Sequence, residues 1–368
     1  MKTIFHTIIL GLSVLPMLGG CFKTSESAPP AITKAEQTAI SPYLEAKLDS
    51  INNTLYCASF QMAWSKMRNQ VIKEDIQLAD SPLTASQLNR QLLGNDDVSN
   101  GSYVAEAGVL SKELIERVNR ELREKFGEQG GESFKIPQAE TGERTIIAYA
   151  YLQKNLEFRR EFEKLTDPVS FHGNGNSAPV VAFGIDKFTY SNHRHEKLQN
   201  QVAIFDYRDD NDFILSLTSK SDDDEIILAK IKPGENLLDT YQAVARRINT
   251  GKKTEIWENE SLKIPKIDFD LSHSFAELEG KRLLNSGWEG WLIVKALQDT
   301  RFKLDEKGAV LKSRGLFMAM KEEAPPPGNE KPRMFIFDKP FLIYLKQKIG
   351  KYPYFVLWVN NPELMIKK

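Results

Sequence analysis

The chain has 368 residues, of which 41% are hydrophobic and 27% are charged. These proportions exclude a disordered polymer and allow a large buried core, in one large domain or two medium ones. Lys and Arg (49) nearly balance Asp and Glu (50), and no basic stripe with interleaved aromatic residues stands out. The composition therefore predicts no nucleic-acid partner.

The N-terminal residues have the pattern of an export signal. Lys2 is followed by an apolar run that ends in small residues before Cys21, and the run is too short for a spanning helix. The letters "LGGC" at 18–21 resemble a bacterial lipobox, whose cysteine becomes the lipidated first residue. The alternative is an ordinary signal peptide followed by an incidental Cys21. We therefore predict a signal peptide over 1–20 and lipidation of Cys21.

Residues 21–40 are rich in Ser, Thr, Ala and Pro, a composition typical of a solvated tether, and we expect the globular domain over 41–368. The lipid would attach the exported chain to a membrane of the cell envelope. Phe22 stands where inner-membrane lipoproteins of some Gram-negative bacteria carry aspartate. This favours the outer membrane or the cell surface over the inner membrane.

The cysteines and histidines do not predict a reactive site. With Cys21 assigned to lipid, only Cys57 remains, so no intrachain disulfide is expected, and its apolar neighbours favour a buried inert thiol. His193 and His195 have the spacing of a metal pair but no third ligand nearby, so exposed turn residues are the preferred interpretation. No nucleophile motif or phosphate-binding loop is recognisable. We therefore expect no enzyme activity, no cofactor and no metal site.

Hydrophobic periodicity predicts helices in the first third of the chain and strands afterwards. Apolar residues at helical spacing predict helices over 55–72, 81–93, 111–127 and 235–248. Runs of β-branched and aromatic residues predict strands over 144–152, 178–185, 202–208, 213–220, 261–275 and in two aromatic runs at the C-terminus. This order, without regular strand–helix alternation, predicts an α+β fold with a large mixed sheet and smaller sheets.

Three segments of the sequence resemble the serpin family. The ending "FIFDKPFLIYLKQKIGKYPYFVLWVNNPE" is similar to the final serpin strands, and "LKIPKIDFDLSHSFAELEGKRL" to the family's Pro-Lys strand and short helix. The stretch "TIIAYAYLQKNLEFRREFEKLTDPVSF" resembles a central strand of the serpin sheet: Tyr151, Phe162, Thr166 and Phe171 fit, while Leu156 stands where the family has Trp. The resemblance implies a serpin-like fold over almost the whole globular part.

The resemblance also gives the segment 306–335 a role. "LDEKGA" at 304–309 is similar to the hinge of the serpin reactive-centre loop. In the family, a serine or cysteine protease cleaves the exposed loop, and the hinge side then inserts into the main sheet and distorts the bound protease. The hinge residues implied here are Glu306, Gly308, Ala309, Leu311, Ser313 and Gly315, and the candidate scissile-bond residues, counted along the loop, are Lys321 and Glu322.

Several departures from the family pattern leave two functions open. Where inhibitors have small hinge residues, mostly alanine, this chain has Val310, Leu311, Lys312, Ser313 and Arg314. The helix that crosses the sheet has no counterpart between 136 and 144, Gln298 replaces a buried His, and the loop is several residues longer than usual. An inserted strand would nevertheless direct mostly small residues inward, namely Ala309, Leu311, Ser313 and Gly315. The sequence therefore predicts either a lipid-anchored protease inhibitor or a non-inhibitory envelope lipoprotein of the same fold that acts in binding or structure.

Overall fold

The computed structural model describes residues 31–94, 96–127, 146–311 and 331–368. No side-chain placement is described for Leu311. Five α-helices lie in these ranges: α1 (Ser59–Lys66), α2 (Leu83–Asn89), α3 (Lys112–Phe126), α4 (His193–Gln199) and α5 (Leu237–Thr250). A π-helical turn (Met67–Ile72) extends α1, and short 3-10 turns occupy Asn100–Ser102 and Pro362–Leu364.

Strands are more numerous than helices, as the sequence predicts. The first nine are β1 (Thr38–Ser41), β2 (Asn53–Cys57), β3 (Tyr103–Val109), β4 (Ile146–Leu152), β5 (Lys154–Glu157), β6 (Glu163–Lys164), β7 (Val169–Gly173), β8 (Asn176–Val180) and β9 (Ala182–Ile185). The others are β10 (Val202–Asp209), β11 (Asp212–Leu217), β12 (Asp224–Lys230), β13 (Ser261–Pro265), β14 (Ile267–Ser274), β15 (Leu297–Asp305), β16 (Gly308–Leu311), β17 (Met334–Ile336), β18 (Phe341–Gln347) and β19 (Phe355–Val359). The predicted α+β class is confirmed.

The largest sheet has seven strands in the order β1-β2-β19-β18-β12-β11-β10. It is mixed, because β1 pairs with β2 in parallel and the remaining strands pair antiparallel. Every residue of β19 is buried, which explains why the C-terminal sequence is a continuous apolar run without alternation. These strands form the centre of the main hydrophobic cluster.

A four-stranded antiparallel sheet in the order β14-β15-β16-β5 carries the segment that resembles a hinge. Strand β4, which comes directly before β5 in the chain, pairs along its whole length with β3. A further four-stranded sheet has the order β17-β13-β9-β6, and β7 and β8 form a separate hairpin. Strand β16 ends at Leu311, and the next strand that the structure describes is β17.

Helix α3 has the bounds that its sequence predicts, whereas α5 begins and ends two residues later than predicted. The Ser111 side chain accepts a hydrogen bond from the Leu114 N–H at 3.2 Å, and the apolar face of α3 (Leu114, Val118 and Leu122) is buried. Helix α5 begins in the same way, with the Asn236 side chain accepting from the Asp239 N–H at 2.8 Å. Side chains that accept these N–H groups satisfy donors that the first helical turn leaves unpaired.

Three sequence-based interpretations were wrong. The predicted helix 55–72 starts as strand β2, whose residues are all buried, since a continuous apolar run fits a buried strand as well as a helix. The predicted tether 21–40 is too long, because Ile32 pairs with Phe269 and residues 38–41 pair with β2. His195 is not exposed in a turn: it is buried in α4, where its Nδ1 accepts from the Thr189 N–H at 3.0 Å.

The predicted signal peptide (1–20) and the segment between 136 and 144, where the sequence has no counterpart of the sheet-crossing helix, both lie outside the described residues. Among the helices that the structure describes, none is long and apolar enough to cross a membrane. In the same ranges, no group of three or more His, Cys, Asp or Glu side chains is placed to hold a metal ion.

Candidate functional site

Strand β16 is the central feature of the candidate site. It lies between β15 and β5 and is antiparallel to both, with Ala309 opposite Leu304 on one side and Leu156 on the other. The two-residue turn Glu306-Lys307 joins β15 to β16. The backbone over 308–311 therefore occupies a strand position inside the sheet.

Backbone hydrogen bonds hold the turn before β16. The N–H groups of Phe162 and Phe158 donate to the carbonyl oxygens of Glu306 and Lys307, at 2.9 and 2.8 Å. The Asp305 carboxylate accepts from the Lys307 N–H at 2.9 Å. These bonds fix the turn against the segment that follows β5, so the entrance to the strand has one defined geometry.

Gly308 is required at the first position of β16. Its φ is +152°, and a Cβ there would lie 2.5 Å from the Leu156 carbonyl oxygen and 2.6 Å from the Glu157 Cα. Both contacts involve backbone atoms that cannot rotate away. Glycine is thus demanded by the backbone conformation and by the close approach to β5.

Glu306 is a buried carboxylate held by two lysines. Its Oε2 lies 2.5 Å from the Lys266 Nζ and its Oε1 lies 3.4 Å from the Nζ of Lys164, which is mostly exposed. Burial acts to raise the pKa of Glu306, but the hydrogen bond and charge of Lys266, with a smaller contribution from Lys164, lower it below the ordinary value. Glu306 therefore remains ionised and ties the turn to Lys266, the residue that links β13 to β14.

The side chains of β16 alternate as the sequence predicts. Ala309 is fully buried in the main hydrophobic cluster, whereas Val310 is half-buried. Leu311 has its backbone in the strand. The remaining predicted residues, Ser313, Gly315, Lys321, Glu322 and the lipidation residue Cys21, lie outside the described residues.

Beyond the end of β16, two strand edges have no partner in the described structure. One belongs to β15, and the other belongs to β4, the strand that leads into β5. Residues 297–302 of β15 pair with β14 on one side and have no ladder on the other. Strand β4 pairs with β3 alone. A strand that extended β16 would run between these two edges, because β4 leads directly into β5.

Two polar atoms on this part of β15 are buried without a hydrogen-bond partner among the described residues: the Gln298 Oε1 and the Thr300 Oγ1. The amide nitrogen of Gln298, in contrast, donates to the Cys57 carbonyl and to the Ser59 hydroxyl, both at 2.9 Å. A buried acceptor or hydroxyl without a partner costs about 1–3 kcal/mol. This part of β15 therefore contains two buried oxygens whose hydrogen-bonding capacity is unused among the described residues.

A buried ion pair that sequence reasoning missed lies at the end of β16. Lys154, directly opposite Leu311 in register, places its Nζ 2.8 Å from the Asp224 Oδ1. Asp224 also accepts from the hydroxyls of Tyr354 at 2.9 Å and Ser221 at 2.7 Å. Lysine is usually exposed, so no local sequence pattern indicates this pair.

Arg333 lies near the start of the described range 331–368 and makes several polar contacts. Its guanidinium donates to both carboxylate oxygens of Glu260, at 2.5 and 3.0 Å, and to the Glu255 carbonyl at 2.7 Å. It also lies 5.2 Å from the ring centre of Phe335. These contacts fix the backbone just before β17.

No protein-family profile and no curated protein matches the chain. Among solved structures, it is similar to Serpin48 of the insect Tenebrio molitor, a highly specific serpin, with 14% identity, a TM-score of 0.46 and coverage of 84% of this chain and 92% of that one. Human thyroxine-binding globulin with its thyroid hormone has 13% identity, a TM-score of 0.49 and coverage of 84% and 92%. Native protease nexin-1 with heparin has 10% identity, a TM-score of 0.49 and the same coverage.

Proposed function

We propose that the chain is a serpin-type protease inhibitor that presents the segment between Leu311 and Lys331 as bait for a serine or cysteine protease. The observation that carries the proposal is the position of β16 between β15 and β5, above two strand edges that have no partner in the described structure. Cleavage of the bait frees the residues after Leu311 to lengthen β16. The sheet would gain a strand, and the protease acylated on the loop would be carried with it.

The register of β16 supports this extension. Continued by two residues, it sets Ser313 opposite Thr300, and continued by four it sets Gly315 opposite Gln298. Both partners on β15 are buried and have an unpaired oxygen. A serine hydroxyl beside Thr300 can form a hydrogen bond with its unpaired oxygen, and glycine beside Gln298 adds no side chain to a buried position. New backbone hydrogen bonds between the strands would stabilise the lengthened strand further.

A protease panel tests the inhibitor proposal. The chain is incubated with trypsin-like and glutamate-preferring serine proteases, and with a papain-like cysteine protease, and the products are separated in denaturing detergent. We expect a detergent-resistant covalent complex, with the scissile bond after Lys321 for a trypsin-like enzyme or after Glu322 for a glutamate-preferring one. Clipping of the loop by every protease with no covalent complex would exclude inhibition.

A second candidate function is that of a binding or structural protein without inhibition. The observation that favours it is that the hinge residues 308–311 already occupy the sheet in the uncleaved chain. The uncleaved chain would then already have part of the stabilisation that drives insertion in an inhibitor, so less would be released on cleavage. This candidate predicts that a clipped chain melts at the same temperature as the intact chain, and that pull-down recovers a stable envelope partner.

We further propose that Cys21 carries a lipid that anchors the chain in the cell envelope, at the outer membrane or cell surface. The lipobox-like "LGGC" supports this assignment, and ten residues lie between Cys21 and Ile32, which pairs with Phe269 in the folded part. Mass spectrometry of the exported chain tests it. A diacylglyceryl thioether on Cys21, lost in Cys21→Ala, is expected, and an unmodified Cys21 in the mature chain would contradict it.

A further inference from the structure

Helix α4 carries both His193 and His195, and the two side chains differ in exposure. The His193 side chain is 91% exposed, whereas His195 is 6% exposed. The ring of His195 stacks on the fully buried ring of Phe188, with the centroids 5.6 Å apart. Buried polar atoms are normally hydrogen-bonded, so the partners of the two ring nitrogens indicate what His195 does.

Both ring nitrogens of His195 have a partner. Nδ1 accepts from the Thr189 N–H at 3.0 Å, and Nε2 lies 3.1 Å from the Glu163 Oε1. Because Nδ1 is an acceptor, the proton of the neutral ring is on Nε2, which donates to Glu163. The ring therefore links the segment before α4 to strand β6 in one defined tautomer.

The neighbouring Arg194 contacts the same part of the chain through its backbone. The Arg194 Nη2 donates to the Glu161 carbonyl at 3.0 Å and to the Phe162 carbonyl at 3.2 Å. Arg194 is exposed, so water competes for these two bonds, whereas the ring of His195 is buried. Of these two residues of α4, His195 therefore makes the larger contribution to the placement of residues 161–163.

The segment that α4 contacts also holds the turn before β16. The Phe162 N–H donates to the Glu306 carbonyl at 2.9 Å. The Phe162 ring is buried and packs edge-on against Phe158, whose N–H donates to the Lys307 carbonyl at 2.8 Å. Glu163 is the next residue of the chain, so its contact with α4 lies one peptide unit from a residue that fixes the turn.

Strand β6 itself is short. It has two residues, which pair with β9 as Glu163–Gly184 and Lys164–Phe183. It is also an edge strand of its sheet. Two residues at a sheet edge form few ladder hydrogen bonds, so the position of this strand depends strongly on side-chain contacts such as the one to α4.

We propose that His195 is a positioning residue for β16: by holding Glu163, it keeps the Phe162 N–H in place against the Glu306 carbonyl. When the contact is removed, the segment 158–163 holds the turn less firmly. The proposal rests on the proposed inhibitor function only in that an ordered turn lets the hinge side enter the sheet. The contact with the turn can be tested without any protease.

Amide hydrogen exchange at Phe162, followed by NMR at neutral pH, tests the proposal. His195→Phe keeps an aromatic ring against Phe188 but loses both hydrogen bonds, and it should raise the exchange rate about tenfold. Glu163→Ala should have the same effect, whereas Glu163→Gln, whose amide oxygen still accepts from Nε2, should stay within about twofold. His193→Ala is the matched control on the same helix and should leave the rate unchanged.

A reference amide separates positioning from a general loss of stability. The Leu357 N–H lies in β19, where every residue is buried, and its exchange should rise less than that of Phe162. The ring ¹⁵N shifts of His195 should show a protonated Nε2 and an unprotonated Nδ1. If His195→Phe folds poorly, the comparison of Glu163→Ala with Glu163→Gln decides the question, because that side chain is partly exposed.

The protease assay adds a functional readout. If the chain is an inhibitor, Glu163→Ala should raise the number of chains clipped per covalent complex, and Glu163→Gln should not. Absence of a complex with every variant would reject the inhibitor function and leave the exchange result to decide the positioning role. Equal exchange at Phe162 in Glu163→Ala and His193→Ala, or equal rises at Phe162 and Leu357, would overturn the proposal.

Discussion

The Lys266 Nζ lies 2.5 Å from the Glu306 Oε2, and this ion pair joins the turn before β16 to the residue that links β13 to β14. Glu306 is almost fully buried, so its charge depends on that contact. Removing one member of a buried pair leaves the other charge desolvated and uncompensated. The geometry of the turn before β16 therefore depends on Lys266 as well as on the residues of the turn itself.

Lys266→Met should lower the free energy of unfolding by about 3 kcal/mol, because it leaves the Glu306 carboxylate buried without its main partner. Lys164→Met is the matched control: Lys164 is 70% exposed in its side chain and should change stability by less than about 1 kcal/mol. Urea unfolding of both variants measures the difference. Equal losses in the two variants would contradict the assignment of Lys266 as the main partner.

The Glu306 contribution should depend on pH in a defined direction. Because the folded-state pKa of Glu306 lies below its ordinary value, the stabilisation is fully present above the unfolded pKa of about 4.3, and it is lost as pH falls through the folded pKa. The stability difference between the unsubstituted chain and Glu306→Gln should therefore shrink below about pH 4. A difference that stays constant between neutral and acid pH would show that Glu306 acts by packing alone.

Gly308→Ala should destabilise the chain by about 2–3 kcal/mol or displace β16 from the sheet, because the added Cβ meets the Leu156 carbonyl and the φ of +152° is strained for alanine. Gly175→Ala is the control, since its φ of +71° is also unfavourable but nothing lies within 4 Å of the added Cβ. Thermal unfolding of both variants separates strain from collision. A loss at position 308 no larger than at 175 would remove the close approach as the reason for glycine.

Thr300→Val should leave the intact chain unchanged or stabilise it by about 1 kcal/mol, because it replaces a buried hydroxyl that has no partner among the described residues. The contrasting control is Thr240→Val, since the Thr240 hydroxyl donates to the Asn236 carbonyl at 2.7 Å and accepts from the Gly234 N–H at 2.9 Å. That variant should lose about 1–3 kcal/mol. Equal losses at the two positions, measured by urea unfolding, would show that Thr300 is already satisfied.

Lys154→Met should cost about 3–5 kcal/mol, since Asp224 would remain buried with its charge supported only by hydroxyls. The double substitution Lys154→Met/Asp224→Leu should recover most of that loss, because an apolar pair replaces a buried ionic one. A double-mutant cycle from urea unfolding gives the coupling energy. Additive effects of the two substitutions would contradict direct coupling.

Local rules predicted much of the fold from the sequence. Ser111 begins α3 because its hydroxyl satisfies a free N–H, and alternation correctly gave Ala309 as buried and Val310 as the less buried neighbour. These features depend on neighbouring residues and on the geometry of one element. These features can therefore be predicted from a single sequence.

The features that sequence reasoning missed depend on contacts between distant segments. Strand β2 was interpreted as helix because both of its faces are buried, and the apolar pattern then has no period. His195, Lys154 and Arg333 each contact a partner 32 or more residues away, namely Glu163, Asp224 and Glu260. Such pairs become visible only when the sheets are assembled.

The melting temperature of the chain before and after a single cut between Leu311 and Lys331 tests the central proposal most directly. If the freed residues extend β16 between β15 and β4, the cut chain should melt at least about 10 °C higher than the intact chain. A shift of 1 kcal/mol moves the midpoint of a domain this large by roughly 2–4 °C, so this rise corresponds to a stabilisation of about 3–5 kcal/mol. An unchanged or lower melting temperature in the cut chain would contradict insertion.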